Sequence, residues 1–393
     1  MSDWRSGERK IIEGGMTKPI YRADHCGSLV RPRELRTART DYLHGKISGP
    51  QLRKIEDQCI VSVLKLQQDA GLKIYSDGEF RRDFWLSAVS DEFFDGMENH
   101  GIDYTRHPYL RGKEIKDSES YVPPNPIVKG KLARKKRITF DEISFLKAHA
   151  PGTFKMTIPS PVTLSRSSYQ PGVGDRVYES WEKLFLDYAS LVAGEIADMV
   201  KDGVTYVQLD APHYTRLVIP NRQKQLTDLG VDLARELELA ITAENICLRA
   251  AKRPNVTTAV HICLGTFILG PQGPLGGAGE YDEALVARLI GALDTDVFLI
   301  EYSERTGSLE AFRGLPKNKI ISLGILNTRD PRVETSDDIR YRVDGAAKFI
   351  PLENLSICPN CGFSGAAIET WITEDIEKRK LGVLVETAEK IWG

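Results

Sequence analysis

The stretch Thr257-Thr-Ala-Val-His-Ile-Cys263 is a short apolar run that ends in two side chains able to bind a metal. Side-chain direction repeats every second residue of an extended strand, so His261 and Cys263 point to the same face. An imidazole and a thiolate at this spacing suit a single zinc ion. The stretch therefore predicts a buried strand with a metal-binding carboxyl end.

Seven further runs have the same strand-like character, and amphipathic helical patterns lie between most of them. The eight runs cover residues 21–29, 73–76, 154–158, 205–210, 257–263, 297–301, 319–326 and 355–357. Alternating strands and helices predict a parallel sheet with right-handed crossovers, and eight such units predict closure. We expect an α/β fold of the (β/α)8 TIM-barrel class.

The helical patterns support this assignment. Apolar stripes at helical spacing run through residues 184–199 and 233–248, and Gly203 is placed to end the first of these helices. Ser336 is placed to cap a third helix.

The regular alternation predicts the domain organisation and two inserts. We expect residues 1–19 to form a disordered tail and residues 20–393 a single barrel domain, with a long insertion at 81–152 after the second strand. The glycine-rich stretch 270–279 is interpreted as a flexible lid or an unstructured connector. Residues 129–137 carry six basic residues in nine, which indicates a solvated hairpin rather than a nucleic-acid patch.

Composition limits the possible functions. The chain has 393 residues, 41% hydrophobic residues and a net charge of −2, so no global field attracts nucleic acid or an anionic membrane. It has no apolar run of eighteen residues, which argues against a membrane span. The polar start of the chain and its six cysteines predict a cytoplasmic protein with reduced thiols.

Four potential metal ligands follow separate predicted strands. In a closed barrel the carboxyl ends of all strands meet at one rim, which brings His261, Cys263, Glu301 and Cys361 together. Each residue alone is compatible with a plain core position, but jointly they predict a tetrahedral zinc site. Cys358 forms a CxxC with Cys361, and we interpret it as structural because no second CxxC is present.

Polar residues at the same rim predict an amino-acid pocket. Glu79 and Asp210 would suit an ammonium group, and Ser28 with neighbouring backbone N–H groups would suit a carboxylate. The alternatives are that Asp210 caps a helix and that Glu79 pairs with Arg81 or Arg82.

A zinc ion with two thiolate ligands is a weak activator of water but holds a further sulfur well. It lowers the pKa of a bound thiol from the usual value of about 8.5, so the thiolate nucleophile is abundant at neutral pH. The ligand set therefore favours attack by a metal-bound sulfur on an alkyl carbon.

This constellation resembles the catalytic barrel of cobalamin-independent methionine synthase, in the family's order and over the chain from about Tyr21 to its end. The matching pieces are Gly27-Ser28, Asp77-Gly-Glu79, Ser160-Pro-Val-Thr163, Gln208-Leu-Asp210, His261-Ile-Cys263, Ile300-Glu301 and Pro359-Asn-Cys361-Gly362. The resemblance implies that His261, Cys263, Glu301 and Cys361 bind zinc, with Glu301 yielding to the incoming thiol. It also implies that Ser28, Glu79 and Asp210 hold homocysteine.

Two positions differ from the family pattern. Tyr169 lies near the position of a pterin-stacking tryptophan, and Arg329 occupies that of a catalytic histidine, so the sequence identifies no proton donor. We also expect the chain to lack the family's second, folate-binding barrel. In these differences the chain resembles short, single-barrel relatives, some of which take the methyl group from a methylcorrinoid or a different donor.

The sequence therefore predicts a zinc-dependent S-methyltransferase that converts homocysteine, or a similar small thiol, to its methyl thioether. The methyl donor would be a folate or a corrinoid, and the oligomeric state stays open, a homo-oligomer included. The alternatives are an epoxyalkane:coenzyme M transferase and a non-catalytic, zinc-stabilised barrel or corrinoid-partner scaffold.

Overall fold

The computed structural model describes residues 9–11, 17–86, 92–100, 125–228, 230–263, 281–302, 308–365 and 370–393. The strands in this part of the chain are β1 Arg9–Ile11, β2 Thr17–Pro19, β3 Phe94–His100, β4 Asn125–Arg134, β5 Met156–Pro159, β6 Tyr206–Asp210, β7 Thr257–Ile262, β8 Val297–Glu301, β9 Ile320–Leu326 and β10 Leu355–Pro359. The helices are α1 Arg33–Leu43, α2 Gly49–Asp69, α3 Phe140–His149, α4 Pro161–Ser168, α5 Trp181–Lys201, α6 Tyr214–Val218, α7 Pro220–Asp228, α8 Leu233–Ala251, α9 Glu283–Ala292, α10 Ser336–Ala346 and α11 Glu374–Trp392.

A six-stranded parallel sheet forms the centre of the fold, in the order β10-β9-β8-β7-β6-β5. Each strand therefore lies beside its neighbour in sequence, with a helix in most of the connections. Every residue of β6, β7, β9 and β10 is buried, which explains why these strands appear in the sequence as nearly continuous apolar runs. Six of the eight predicted strands are confirmed.

The first two predicted strands, at 21–29 and 73–76, are single β-bridges at the two edges of this sheet. Ala23 pairs in parallel with Ile357 of β10, and Tyr75 pairs in parallel with Phe154, just before β5. After each bridge a glycine takes the chain out of the extended conformation, Gly27 with φ +106° and Gly78 with φ +69°. The prediction of two full strands was therefore wrong.

Individual hydrogen bonds connect these two edge segments to each other. The Ser76 hydroxyl donates to the Gly27 carbonyl at 2.7 Å, and the Leu29 N–H donates to the Gly78 carbonyl at 3.2 Å. The architecture established for the described chain is a mixed α/β fold around a six-stranded parallel sheet.

The predicted helices are present, with one correction at a helix start. The stripes at 184–199 and 233–248 form α5 and α8, which pack against each other. Gly203 follows α5 with φ +93°, a left-handed conformation that suits a glycine at a helix end. Thr335, not Ser336, caps α10, because its hydroxyl accepts the Asp338 N–H at 3.1 Å.

The segment 81–152 contains, among its described residues, the antiparallel pair β3–β4 and the helix α3. The basic stretch lies along and just after β4 and is ion-paired with acidic side chains, for example Lys129 with Glu98 at 2.6 Å and Arg137 with Asp202 at 2.5 Å. This pairing fits a solvated hairpin.

Other parts of the predicted organisation stay predictions. Within residues 1–19, β1 and β2 form a short antiparallel pair. The glycine-rich stretch 270–279 lies outside the described residues. Among the helices of the described chain, none combines the length and the apolar character needed to cross a lipid bilayer.

Candidate functional site

A pocket with an empty volume of about 430 Å³ lies where the strands of the sheet end. Asp210 ends β6, Cys263 follows β7, and Cys361 follows β10. The described lining residues are Cys26, Ser28, Glu79, Trp85, Asp210, Pro212, His261, Cys263, Arg329, Cys361, Gly362 and Gly365. Six of the seven residues predicted to bind metal or substrate are on this lining.

Three of the four predicted metal ligands converge tightly. The ligand atoms of His261, Cys263 and Cys361 all lie within 4.8 Å of one another, and the two sulfur atoms are 4.0 Å apart. The fourth predicted ligand, Glu301, has its Oε2 3.3 Å from the Cys263 sulfur but stands outside this compact group of three. Parallel strands explain the convergence, because their carboxyl ends lie at one edge of the sheet.

The His261 ring has the arrangement expected of a metal ligand. Its Nδ1 lies 3.2 Å from the Leu299 carbonyl oxygen, an acceptor that favours the neutral tautomer with the proton on Nδ1 and the lone pair on Nε2 when a metal is bound. Nε2 is buried and has no hydrogen-bond partner in the described chain. A buried acceptor beside two sulfur atoms is costly unless something binds it. The donor set therefore fits a zinc ion.

The thiols around the pocket differ in acidity. The contact with the Cys263 thiol, followed by that with the His261 ring, holds the pKa of Cys361 well below its usual value. Burial raises the pKa of Cys26 well above its usual value, and its S–H group donates to the Pro359 carbonyl at 3.4 Å. Cys361 is therefore disposed to be a thiolate, and Cys26 a neutral thiol.

Glu79 is the only non-glycine residue of the described chain with a positive φ, at 61°. Asp77 and Gly78 build the tight turn before it, in which the Glu79 N–H donates to Asp77 Oδ1 at 2.9 Å. The buried Arg31 guanidinium donates to the Glu79 carbonyl at 3.0 Å, so both backbone groups of Glu79 are held. A left-handed glutamate costs of order 1–2 kcal/mol and persists where its surroundings hold it, which is typical of functional sites.

This backbone aims the Glu79 carboxylate into the pocket. Oε1 accepts the Thr157 hydroxyl at 2.7 Å, and Oε2 is buried without a hydrogen-bond partner in the described chain. The expected alternative, an ion pair with Arg82, is present at 3.4 Å, but Arg82 makes two shorter contacts of 2.9 Å with Glu142. One carboxylate oxygen of Glu79 is therefore available to a ligand.

Asp210 is held by its neighbour on the same strand. Gln208 Nε2 donates to Asp210 Oδ1 at 2.8 Å and to the Cys26 carbonyl at 3.0 Å. Burial, and then repulsion from Glu79, raises the pKa of Asp210 to about 7. The alternative that Asp210 caps a helix is wrong, because His213 occupies the N-cap of α6.

Ser28 lies directly against the segment that follows Cys361. A Cβ added to Gly362 would overlap the Ser28 hydroxyl, and the Phe363 N–H donates to the Ser28 carbonyl at 2.9 Å. Ser28 therefore lies beside the segment that follows Cys361.

Six lining residues were not assigned a binding role from the sequence: Cys26, Trp85, Pro212, Arg329, Gly362 and Gly365. The backbone N–H of Trp85 donates to the Gly365 carbonyl at 2.9 Å. The two residues are 280 positions apart in the chain, so no local sequence pattern could reveal that Trp85 lines the pocket. Tyr169, by contrast, is absent from the described lining; its hydroxyl donates to Asp175.

Comparisons with known proteins identify the family of this chain. The family model described as "Cobalamin-independent synthase, Catalytic domain" matches residues 23–389. The uncharacterized protein YxjH of Bacillus subtilis (strain 168) is 29% identical over 380 residues, which cover 95% of this chain and 96% of that protein. The 5-methyltetrahydropteroyltriglutamate–homocysteine methyltransferase of Thermotoga sp. (strain RQ2) is 26% identical over 90% of this chain, which spans only 43% of that longer protein.

Solved structures show the same fold. A putative vitamin-B12 independent methionine synthase from Listeria monocytogenes superimposes with a TM-score of 0.68 and 26% identity, over 96% of this chain and 99% of the other. A B12-independent methionine synthase from Shewanella sp. W3-18-1 gives a TM-score of 0.67 over 94% and 97% of the two chains; at 21% identity it supports the fold alone. The family model covers nearly the whole chain, and the chain therefore belongs to the cobalamin-independent methionine synthase family, matching its catalytic domain.

Proposed function

We propose that this protein is a zinc-dependent S-methyltransferase that converts homocysteine to methionine within a closed (β/α)8 barrel. The observation that carries the proposal is the compact group of His261, Cys263 and Cys361, which shares a pocket lining with the buried Glu79, one carboxylate oxygen of which is available to a ligand. The family supports methyl transfer, and the name of the Thermotoga relative supports homocysteine as the acceptor. The two bridged edge segments support barrel closure.

His261, Cys263 and Cys361 would hold the zinc ion, with Glu301 as the fourth ligand that gives way to the substrate thiol. When bound, zinc lowers the pKa of that thiol and keeps it as a nucleophilic thiolate. The Leu299 carbonyl keeps the imidazole in the required tautomer. The Cys361 and Cys263 sulfurs restrict the metal's Lewis acidity, which favours thiol chemistry over water activation.

The protein's own residues would orient the amino-acid part of the acceptor. Glu79 Oε2 and Asp210 would bind the ammonium group, since both carboxylates are buried on the pocket lining. Ser28 would contribute to the carboxylate end. With both ends held, the sulfur faces the methyl donor, a sulfur–carbon bond forms, and the bond from methyl to its donor breaks with the electron pair leaving on the donor.

The donor would be a methylated folate or a methylcorrinoid, and the reaction would take place in the cytoplasm. None of the six cysteines, all of them among the described residues, is in a disulfide, which suits a reducing compartment.

The experiment is a parallel turnover assay of the zinc-loaded protein. Homocysteine is supplied with methyltetrahydrofolate in one tube and with methylcobalamin in a second, while a third contains coenzyme M and an epoxide. We expect methionine in one of the first two tubes. Product in the third tube alone would overturn the assignment in favour of an epoxide-opening transferase.

A pair of cysteine variants connects turnover to the site. Cys263→Ala should reduce bound zinc and abolish turnover, whereas Cys247→Ala should keep both, since Cys247 is buried on α8 and donates to the Ala189 carbonyl, away from the pocket. Zinc content is measured by metal analysis. Removal of zinc should leave the circular dichroism spectrum folded; unfolding on zinc removal would instead indicate a structural metal.

A further inference from the structure

The pocket contains one arginine whose hydrogen-bonding capacity is only half used. Arg329 Nη1 donates to the Gly362 carbonyl and to the Phe363 carbonyl, each at 3.0 Å, and to Thr328. Within the described chain, Nε and Nη2 make no hydrogen bond, and no carboxylate forms an ion pair with Arg329. Arg329 is also the only arginine or lysine on the described lining of the pocket.

The segment that anchors Arg329 is the one that Ser28 contacts. The Ser28 hydroxyl faces Gly362, and the Ser28 carbonyl accepts the Phe363 N–H. Arg329 and Ser28 therefore meet at the same two residues, immediately after the metal ligand Cys361. The guanidinium also helps to lower the pKa of Cys361, which places its charge close to the sulfur.

The pocket lining thus carries charges of both signs. Glu79 and Asp210 supply the negative charge, and repulsion between them contributes to the raised pKa of Asp210. Arg329 supplies the positive charge, with its unused N–H groups in the fixed planar fork that matches a carboxylate. The two sulfurs and the imidazole of the proposed metal site are on the same lining.

We infer that Arg329 is a specificity-determining residue, whose Nε and Nη2 bind the carboxylate of the acceptor thiol in concert with Ser28. The inference rests on the proposed function and deepens it: the acceptor must carry a thiol, an ammonium group and a carboxylate together, as an α-amino acid does. A guanidinium keeps its proton at neutral pH, so Arg329 anchors an anion and is not an acid that protonates the leaving group.

The test measures dissociation constants of three thiols on the zinc-loaded protein by calorimetry. The ligands are homocysteine, homocysteamine (which lacks the carboxylate) and γ-mercaptobutyrate (which lacks the ammonium group). For Arg329→Gln we expect affinity for homocysteine and γ-mercaptobutyrate to fall about 10- to 100-fold, as for the loss of a charge-assisted contact, and affinity for homocysteamine to stay within about twofold. Arg329→Lys should restore part of the loss.

Arg332→Gln is the matched control, because Arg332 follows in the same loop but is 63% exposed and is not on the described lining. It should leave all three affinities unchanged. If Arg329 had only a structural role, Arg329→Gln would lower the affinity for all three thiols equally, and that result would overturn the inference.

Two other outcomes separate the inference from the proposed function. If Arg329→Gln left the thiol affinities unchanged but raised the KM for the methyl donor, Arg329 would bind an anionic group of the donor instead, and this result would also overturn the inference. Failure of the folded, zinc-loaded wild type to bind any of the three thiols would overturn the proposed function itself.

Discussion

The strained backbone at Glu79 makes a prediction that separates stability from binding. Replacing Glu79 by glycine and, separately, by alanine removes the carboxylate in both variants, and the two differ by a single methyl group. Only glycine is relaxed at φ 61°, the value at this position. We therefore expect both variants to lose homocysteine affinity, and the glycine variant to be the more stable of the two.

The size of the difference follows from two opposing terms. Left-handed backbone costs a residue with a Cβ roughly 1–2 kcal/mol, while glycine loses about 0.5–1 kcal/mol more in chain entropy on folding. The net advantage of Glu79→Gly over Glu79→Ala should be about 0.5–1 kcal/mol in the free energy of unfolding. Urea titration followed by circular dichroism measures it as a shift in midpoint at constant slope.

A reciprocal variant serves as the control. Gly78 has φ +69°, and a Cβ there would lie 2.7 Å from the Phe80 ring, so Gly78→Ala should destabilise the fold. If Glu79→Ala proved as stable as Glu79→Gly, the backbone at Glu79 would carry no strain, and the argument that its conformation serves ligand binding would be refuted.

Three further predictions concern the pocket and its surroundings. Glu79→Gln should weaken homocysteine binding by about 1.5–3 kcal/mol and leave γ-mercaptobutyrate unaffected, as measured by calorimetry. Gly362→Ala should push the Ser28 hydroxyl aside and reduce homocysteine affinity while zinc content, from metal analysis, stays at the wild-type level. Glu244 is buried, its Oε1 lies 3.6 Å from His213 Nε2, and burial raises its pKa to about 8. As the pH rises, the unfolded chain releases this proton before the folded chain does, so the free energy of unfolding falls between pH 4.5 and 8. Glu244→Gln removes this titration, and its free energy of unfolding should exceed that of the wild type by up to roughly 4 kcal/mol at pH 8. Glu195 is equally buried but accepts two hydrogen bonds from Thr139, so Glu195→Gln should destabilise at every pH in the same denaturation series.

Much of the layout could be predicted, because a residue at the carboxyl end of a parallel strand lies at one known edge of the sheet. The runs that became β6 and β8 are largely apolar and end in Asp210 and Glu301, and His261 stands out near the end of the run that became β7. The edge segments were predicted as full strands because Ala23 and Tyr75 lie in runs that resemble strands, whereas each run forms only a single bridge. Similarly, threonine and serine both cap helices well, and Thr335 takes this role in place of Ser336 because its backbone is extended, at φ −87° and ψ 159°, directly before α10.

The chemistry of the candidate site was partly visible for the same reason. His261 and Cys263 follow from the two-residue repeat of a strand, and Cys361 from the end of another strand. The left-handed Glu79 and the half-used guanidinium of Arg329 are three-dimensional properties, because the groups that fix them lie far away in sequence. Spacing within the chain contains no information on such contacts.

The sulfur atoms of Cys263 and Cys361, 4.0 Å apart, have a practical consequence for anyone who purifies this protein. Without a bound metal, two neighbouring thiols, one of them disposed to ionise, are well placed to oxidise in air to a disulfide. Such a preparation would keep its fold and its mass to within two hydrogens, yet it would have lost both sulfur donors. Purification under reductant, with zinc present from lysis onward, is therefore part of any fair activity assay.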